Sequence, residues 1–172
     1  MAISKLILIK SIHPINFKFS FPEQVVSLST EFNINGGEII LGKRIQTRKN
    51  VEFRSTENGM IKIGENAFFN NNCTVACREK IEIGNNCSFG PNVVLYDHDH
   101  DFRVKGGKKA GKYKTGPIII GNNVWVGANT VILRGTTIGD NCVIGAGSVI
   151  KSNIEPNTLV YKKNENINKK II

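Results

Sequence analysis

An aliphatic residue returns at every sixth position through much of this 172-residue chain. The longest unbroken run comprises Ile120, Val126, Ile132, Ile138, Ile144 and Ile150. Shorter runs begin at Ile63 and at Ile83. A helical period of 3.6 residues and the simple alternation of a strand both fail to produce this spacing. The backbone must therefore turn a corner once in each group of six residues.

The fourth position of each repeat identifies the residue that makes the corner. Nearly all of these positions hold Asn or Gly: Asn66, Asn72, Asn86, Asn92, Asn123, Asn129, Gly135, Asn141, Gly147 and Asn153. These two residue types tolerate the positive φ that strains other side chains. One repeat departs from the rule and has Arg78 there, directly before a two-residue insertion. We therefore predict that each repeat is a short strand followed by a left-handed corner.

Three strands and three corners close a triangular coil of about 18 residues, and stacked coils hydrogen-bond at roughly 4.8 Å spacing. The sequence thus predicts an all-β protein, a parallel β-helix of hexapeptide repeats. The alternative is an ordinary antiparallel protein with accidental spacing, which ten repeats with one corner chemistry disfavour. We expect the coils over residues 36–161, with an N-terminal extension or cap at 1–35 and a C-terminal tail at 162–172.

The four cysteines fit this coil better than they fit a disulfide scaffold or a zinc site. Cys73, Cys87 and Cys142 occupy the small, inward fifth position of a repeat, where a thiol is a compact apolar filler. Cys73 and Cys77 have no second pair that would complete a zinc site. No apolar run is long enough to span a bilayer, and no signal-peptide cleavage site follows the apolar start. We therefore expect a cytoplasmic protein with no transmembrane segment.

The segment 97–116 leaves the six-residue period and is predicted to protrude as a loop. It opens with Asp97-His98-Asp99-His100-Asp101, which holds two of the three histidines of the chain. A histidine with a pKa near neutrality is a natural general base, and a neighbouring carboxylate can orient its ring. Any of the three aspartates could do this for His100. A metal site and a solvated polar loop are the alternatives, but a metal needs three or four converging ligands, so none is expected.

The net charge of +9 favours anionic partners, because 23 Lys and Arg residues oppose 14 Asp and Glu residues. Several of the basic residues follow the histidines in the same loop: Arg103, Lys105, Lys108, Lys109, Lys112 and Lys114. This loop is either a solvated arm or an arm that attracts phosphate beside the histidines. We expect no nucleic acid partner, because its interleaved aromatic residues are limited to Phe102 and Tyr113.

The repeats, the Asp-His-Asp-His cluster, the run Ile120-Gly-Asn-Asn-Val-Trp-Val-Gly-Ala-Asn129 and the run Ile144-Gly-Ala-Gly-Ser148 resemble the hexapeptide-repeat acetyltransferases. In pattern they are most similar to the maltose and galactoside O-acetyltransferases and to the acyltransferases of capsule and O-antigen synthesis. The resemblance covers roughly residues 36–161. It implies a left-handed β-helix, a homotrimer with active sites between subunits, acetyl-CoA as co-substrate, and a sugar or glycan acceptor.

The resemblance also implies roles for single residues. His100 matches the catalytic base, with Asp97 and His98 in the same catalytic cluster, and Asn70 matches the asparagine that hydrogen-bonds the acceptor sugar. Arg78, also an acceptor-binding candidate, stands where the galactoside enzymes have an acidic residue. The positions that match cofactor contacts are Trp125, Gly127, Ala128, Ala146, Lys151, Ser152 and Lys169. Among them, the backbone N–H of Ala128 matches the donor to the developing oxyanion.

The function that we expect is acetyl-CoA-dependent O-acetylation of a sugar hydroxyl in capsule or O-antigen polysaccharide biosynthesis. N-acetylation of a nucleotide-linked amino sugar is the second expectation, since Arg78 and the basic loop suit an anionic nucleotide. Acetylation of a drug is the third. A metal enzyme like the zinc carbonic anhydrases of this scaffold would need three histidine ligands, and His98 and His100 supply two. A non-enzymatic binding module remains the last alternative.

Overall fold

A computed structural model describes residues 2–20 and 23–161 of the chain. An N-terminal helix, α1 (Ala2–Ile12), precedes short strands that pair in three parallel six-stranded sheets. The sheets are the three faces of a triangular prism, numbered here in the order in which the chain visits them.

Face 1 stacks β1 (Phe17–Phe19), β3 (Glu38–Leu41), β6 (Met60–Ile63), β9 (Lys80–Ile83), β14 (Ile118–Ile120) and β17 (Thr137–Ile138). Face 2 stacks β4 (Gln46–Thr47), β7 (Phe68–Phe69), β10 (Ser88–Phe89), β15 (Trp125–Val126), β18 (Val143–Ile144) and β20 (Leu159–Val160). Face 3 stacks β2 (Glu31–Asn35), β5 (Glu52–Thr56), β8 (Thr74–Cys77), β11 (Val94–Tyr96), β16 (Val131–Leu133) and β19 (Val149–Ile150). The chain passes through the faces in rotation, which makes a solenoid of about 6 turns and confirms the predicted β-helix.

The corners lie where the residue types predict them, with one exception. Every predicted corner residue from Asn66 to Gly147 has a positive φ, between 56° and 73°. The prediction at Asn153 is wrong, because Ile154 follows Ile150 after four residues instead of six and joins face 1 there. The shortened repeat moves the last corner to Asn157, whose φ is 60°.

The corner asparagines also bond to one another from turn to turn. At the edge between faces 1 and 2, Asn66 Nδ2 donates to Asn86 Oδ1 at 2.8 Å, and Asn86 Nδ2 donates to Asn123 Oδ1 at 3.1 Å. A similar ladder runs along the edge between faces 2 and 3, through Asn50, Asn72, Asn92 and Asn129. Asparagine therefore serves twice at a corner, once through its φ and once through its amide.

The interior is a column of apolar side chains along the prism axis. Phe53, Phe69 and Phe89 are at most 1% exposed, and successive ring centroids lie 5.1 and 4.6 Å apart. Cys73 and Cys87 fill the small inward positions, and burial raises the pKa of both thiols to about 11. These cysteines are neutral packing residues at ordinary pH, as predicted.

Parallel pairing starts before residue 36, where the sequence analysis placed the first coil. β1 pairs with β3, with Phe17 opposite Ile39, and β2 pairs with β5, with Phe32 opposite Phe53. This first turn has no repeat of six residues with an Asn corner, so a search for the period passes over it. Among the residues described, no helix is long and apolar enough to cross a membrane.

The protruding segment is a hairpin on the edge between faces 3 and 1. It comprises β12 (His98–His100) and β13 (Tyr113–Thr115), which pair antiparallel, with a 3₁₀ turn at Gly107–Ala110 between them. At its base, the Gly116 N–H donates to the Asp97 carbonyl at 2.9 Å. The next strand of the solenoid, β14, follows directly.

The double role of a corner asparagine predicts different costs for two substitutions of Asn86. Asn86→Gly keeps the positive φ and loses the ladder bonds to Asn66 and Asn123, so we expect a loss of about 1–2 kcal/mol in unfolding free energy. Asn86→Ala loses the same bonds and adds the left-handed strain, about 1–2 kcal/mol more. Urea unfolding at fixed protein concentration measures both. An alanine variant as stable as the glycine variant would contradict the corner assignment.

Candidate active site

The hairpin stands on the 3–1 edge, the edge between faces 3 and 1, because the chain leaves face 3 at Tyr96 and re-enters the solenoid on face 1 at Ile118. The turn before the hairpin places Arg78 on this edge, and the turn after it places Arg134 there. These neighbours flank the base of the hairpin, where Arg78 lies beside the histidines and Arg134 pairs with Asp99.

Asp97 connects the hairpin to the preceding turn of the solenoid, which contains Arg78. The side chain is 0% exposed, and its carboxylate accepts hydrogen bonds from the backbone N–H groups of Arg78, Glu79 and Lys80 at 2.8–3.1 Å. The Cys77 thiol donates to Oδ2 at 3.1 Å. The corner at Arg78 has no Asn or Gly, and this buried carboxylate satisfies its donors instead.

The same carboxylate orients a histidine. Asp97 Oδ1 lies 2.9 Å from His98 Nδ1, so Nδ1 carries the proton and Nε2 keeps a free lone pair. Burial alone would raise the pKa of Asp97, but the bonds from His98 and from the Glu79 and Arg78 backbone outweigh it and hold the pKa below its usual value. Burial and the Asp97 charge raise the pKa of the Cys77 thiol, which therefore stays protonated.

A cavity of about 450 Å³ opens between the hairpin and the turns above it. Its lining includes both histidines of the cluster together with Arg54, Arg78, Tyr96 and Tyr113. The Tyr113 ring contacts both imidazoles, with centroid distances of 5.6 Å to His98 and 4.6 Å to His100. The hairpin register, which sets His100 opposite Tyr113, produces this cluster.

Arg78 forms one wall of the cavity. Its guanidinium carbon lies 3.5 Å from the centroid of the Tyr113 ring, and its Nη1 pairs with the Glu57 carboxylate. The Arg78 side chain is 16% exposed, so this stacking is mostly shielded from solvent. Arg54 adds a second guanidinium to the lining, and it is half-exposed beside Glu52. The cavity therefore offers two guanidinium groups, one of them from Arg78, the predicted acceptor-binding residue.

His100 is the exposed member of the pair. No hydrogen bond joins its ring to a carboxylate within residues 2–20 and 23–161, because each neighbouring aspartate has another partner. Asp99 Oδ2 accepts from Arg134 Nε at 2.6 Å, Asp101 Oδ1 pairs with Lys114 Nζ at 3.4 Å, and Asp97 holds His98. The sequence left open which aspartate orients the His100 ring. Within one protomer, Asp97 orients His98, and none of the three aspartates hydrogen-bonds the His100 ring.

Asn70 and several predicted cofactor contacts lie on a different edge, the 2–3 edge between faces 2 and 3. Asn70, Ala128 and Ala146 each come after a face 2 strand and before a face 3 strand. Asn70 Oδ1 accepts from the Asn71 N–H at 2.8 Å, which leaves its Nδ2 donor free for a ligand. Gly127 precedes Ala128, and an added Cβ there would lie 2.6 Å from the Ala146 nitrogen, so only glycine fits between these turns.

Two backbone donors on the 2–3 edge have no partner. The N–H groups of Ala128 and Ala146 donate to no acceptor in the part of the chain that the structure describes. On the 1–2 edge, between faces 1 and 2, the corresponding N–H groups of Glu65, Asn85 and Asn122 each bond a side-chain oxygen of the next turn. Ala146, in the turn after Ala128, has no such oxygen, so the Ala128 N–H stays open to a carbonyl group, with the Ala146 N–H one turn away.

The remaining predicted contacts come after the hairpin in the sequence. Trp125 lies on face 2, with 58% of its surface exposed. Lys151 and Ser152 follow β19 and are exposed on the 3–1 edge, two turns beyond the hairpin. Lys169 lies outside the described residues.

The predicted site residues therefore form two groups that one protomer does not bring together. His98, His100 and Arg78 occupy the 3–1 edge, whereas Asn70 and Ala128 occupy the 2–3 edge. The two edges are separated by the width of face 3, about six residues, or roughly 20 Å at strand spacing.

Sequence reasoning missed the aromatic part of the cavity. Tyr113 was considered only as a weak nucleic-acid signal, although it touches both histidines and Arg78. Its position depends on a hairpin register that twelve intervening residues of irregular sequence do not reveal. Arg54 was missed too, because only the stacking of β5 on β8 places it near Arg78. In the described residues, no group of three or more His, Cys, Asp or Glu side chains could hold a metal ion.

Comparisons with known proteins agree with the repeats and the fold. Residues 117–152 match the family model described as bacterial transferase hexapeptide (six repeats), and residues 60–97 match the hexapeptide repeat of succinyl-transferase. The galactoside O-acetyltransferase of Escherichia coli K12 is 43% identical over 99 residues, which are 58% of this chain and 48% of that protein. The chain spans about half the length of the curated relatives it matches.

Two solved structures extend the similarity over most of the chain. A galactoside acetyltransferase in complex with coenzyme A is 31% identical, with a TM-score of 0.56, over 88% of this chain and 62% of that one. A maltose O-acetyltransferase from Clostridium difficile 630 is 32% identical, with a TM-score of 0.54, over 87% of this chain and 67% of that one. On the repeats, the fold and these similarities, the chain belongs to the hexapeptide-repeat acetyltransferase family.

Proposed function

We propose that the protein is an acetyl-CoA-dependent O-acetyltransferase that acts on a sugar hydroxyl, in the cytoplasm, during capsule or O-antigen polysaccharide biosynthesis. The observation that carries the proposal is the cavity at the 3–1 edge, where two imidazoles meet beside an anchored carboxylate. Family membership supports the acetyl transfer, and the coenzyme A bound to the related galactoside acetyltransferase supports the co-substrate.

The active protein is a homotrimer in this proposal, with each site formed between two copies. The two groups of predicted site residues lie on different edges of one prism, so only a neighbouring copy can complete a site that uses both. Two prisms that lie side by side can bring the 3–1 edge of one against the 2–3 edge of the next. His100, exposed in the single protomer, would then face the open donors of Ala128 and Ala146.

His100 acts as the general base of the reaction. It takes the proton of the acceptor hydroxyl, and the oxygen attacks the acetyl carbonyl carbon of the thioester. The Ala128 N–H of the adjoining copy donates to the oxyanion that forms, because this donor has no internal partner. The carbon–sulfur bond then breaks, and the departing thiolate takes the proton back from His100.

The other predicted residues bind and orient the two substrates. Asn70 Nδ2 donates to an acceptor hydroxyl, and Tyr113 holds the histidine rings by packing between them and Arg78. Trp125, Gly127 and Ala146 line the path of the pantetheine arm, and Lys151 and Ser152 contact its phosphates. Lys169 remains a proposed contact to the nucleotide end.

One observation favours a second candidate function, N-acetylation of a nucleotide-linked amino sugar. Arg54 and Arg78 both line the cavity, and a planar guanidinium binds phosphate or carboxylate oxygens better than it binds a neutral sugar. The basic residues of the hairpin, Lys105 to Lys114, would attract such an anion.

We expect His100→Ala to lower turnover by about 10²–10⁴-fold, because general-base catalysis contributes on that scale. Thiol release from acetyl-CoA, followed with an acceptor that the native protein uses, measures the change. His13→Ala removes a histidine that does not line the cavity, so this variant should keep full activity. If His98→Ala abolishes turnover while His100→Ala does not, then His98, whose tautomer Asp97 sets, is the base instead.

Replacement of Asp97 should weaken the attachment of the hairpin to the solenoid. In Asp97→Asn, an amide NH₂ group replaces one carboxylate oxygen and faces backbone N–H groups that it cannot accept from. We therefore expect the unfolding free energy at pH 7 to be about 3 kcal/mol lower. Because the native pKa of Asp97 is lowered, its stabilisation is complete above the unfolded pKa and fades as acid protonates the native carboxyl. The difference between the two proteins in urea midpoint should therefore shrink below about pH 4.

Asp99→Asn is the matched control, since Asp99 is 52% exposed in its pair with Arg134. We expect it to cost less than about 1 kcal/mol at any pH. A loss at Asp99 equal to that at Asp97 would show that the buried carboxylate has no special role.

The product distinguishes the two acceptor classes. Native protein is incubated with acetyl-CoA and a panel of neutral oligosaccharides and amino-sugar nucleotides, and the products are treated with hydroxylamine, which cleaves esters and leaves amides. We expect a hydroxylamine-labile ester on a neutral sugar, and Arg78→Gln should change its KM by less than about threefold, since a neutral sugar gains little from a cation. A stable amide on a sugar nucleotide, with a KM raised tenfold or more in Arg78→Gln, would favour the second candidate.

A further inference from the structure

Helix α1 covers the open end of the prism. Leu6 is 0% exposed and packs into the core with Ile9 beside it, next to the first strand of face 1. On the other side, Lys5 Nζ reaches the carbonyl of Leu28 at 2.5 Å, in the corner between faces 2 and 3. The helix therefore crosses the end of the triangle, from face 1 to the opposite edge.

The outer surface of this helix is largely apolar, with the exposed Ser4 and Ser11 beside its apolar residues. Successive residues turn by about 100°, so Leu8 and Ile12 lie together on the side away from Leu6. Leu8 is 60% and Ile12 is 64% exposed, with Ile7 (49%) beside them and Ile15 (76%) just past the helix end. Leu28, at 52%, adds to the same end of the prism. This ridge of large apolar side chains faces solvent in the folded protomer.

Lysines border the ridge, and α1 itself carries no acidic residue. Lys5 and Lys10 lie at the two borders between the buried and exposed sides of α1, where their ammonium groups contact the carbonyls of Leu28 and Pro14. The first acidic residue of the chain is Glu23, and the whole chain carries +9. Exposed apolar side chains with lysines beside them can insert at a membrane interface, with the ammonium groups at headgroup depth.

We propose that this surface, the α1 cap, binds a membrane that contains anionic lipid. Leu8, Ile12 and Ile15 enter the boundary between headgroups and acyl chains, and Lys5 and Lys10 pair with lipid phosphates at headgroup depth. At 11 residues, α1 lies along the surface rather than across the bilayer.

A second copy of the chain is the competing occupant, and the geometry disfavours it. The sites proposed between copies use the long edges of the prism, whereas the α1 cap closes one end. Copies packed side by side cover faces and edges and leave their ends open.

Docking by this end would also suit the proposed function; this point and the argument against a second copy rest on it. The cavity is lined by Arg54 and Arg78, which lie one and two turns beyond β2, the first face 3 strand. At roughly 4.8 Å per turn, these two arginines lie about 5–10 Å beyond β2 along the prism axis. A glycan acceptor that is itself held at a membrane would meet the cavity at that height.

The test uses the full chain and phosphatidylcholine vesicles prepared with and without phosphatidylglycerol. We expect co-sedimentation with the anionic vesicles that weakens between 0.1 and 1 M salt, as the Debye length falls from about 10 to about 3 Å. Lys5→Gln/Lys10→Gln should lower the partition coefficient by about 30-fold, at about 1 kcal/mol for each lysine. Leu8→Ser/Ile12→Ser should lower it at least tenfold, from the lost apolar insertion.

Val149→Ser/Leu159→Ser is the matched control, because each of these side chains is 61% exposed and lies toward the other end of the prism. It should bind vesicles like the native protein. Native protein that ignores anionic vesicles, or a cap variant that binds them normally, would overturn the proposal. A cap variant whose mass by light scattering falls would assign the ridge to contacts between copies instead. Thiol release with a soluble acceptor should be unchanged in Leu8→Ser/Ile12→Ser, so a failure of docking stays separate from a failure of acetyl transfer.

Discussion

The structure depends on a backbone that turns sharply after every few strand residues and still stacks its amides on the next turn. A positive φ at most corners permits the turn, and the asparagine amides at these corners bond along the edge, as Asn66 does with Asn86. Between the corners, alternate residues of each strand point inward, so the interior is filled by stacked apolar side chains such as Phe53, Phe69 and Phe89. Corners and core are therefore two consequences of one geometric requirement.

The candidate site lies at an edge where two successive corners have neither Asn nor Gly. The 3–1 edge has Glu57 and Arg78 at successive corners, and neither is a residue that favours a left-handed turn. The buried carboxylate of Asp97 accepts the corner N–H groups from below, and its own chain then leaves the solenoid as the hairpin. The group that stabilises the irregular corner thus also orients His98. Structural support and candidate chemistry share one side chain.

The contrast between the regular corners and the irregular 3–1 edge explains how much of the structure the sequence could predict. Local backbone conformation selects Asn and Gly at corners, so the corners from Asn66 to Gly147, the buried cysteines and the protruding segment were predictable. The positive φ of Arg44 was not, because contacts with Glu23 and Glu65 of neighbouring turns hold its side chain. Tyr113 was missed for a similar reason, since its contact with His100 depends on pairing across an irregular loop. Long-range pairing leaves no local residue signature.

The same reasoning bears on what a single protomer can do. The open N–H groups of Ala128 and Ala146 lie on the 2–3 edge and the exposed imidazole of His100 lies on the 3–1 edge, with the width of face 3 between them. A prism cannot bend its edges together, because every turn is hydrogen-bonded to the next along three faces. Rigidity of this kind fixes each half of the proposed site accurately, and in the proposed trimer the halves would be joined by packing between copies. The ends of the prism, such as the α1 cap, are then left for contacts with something other than another copy.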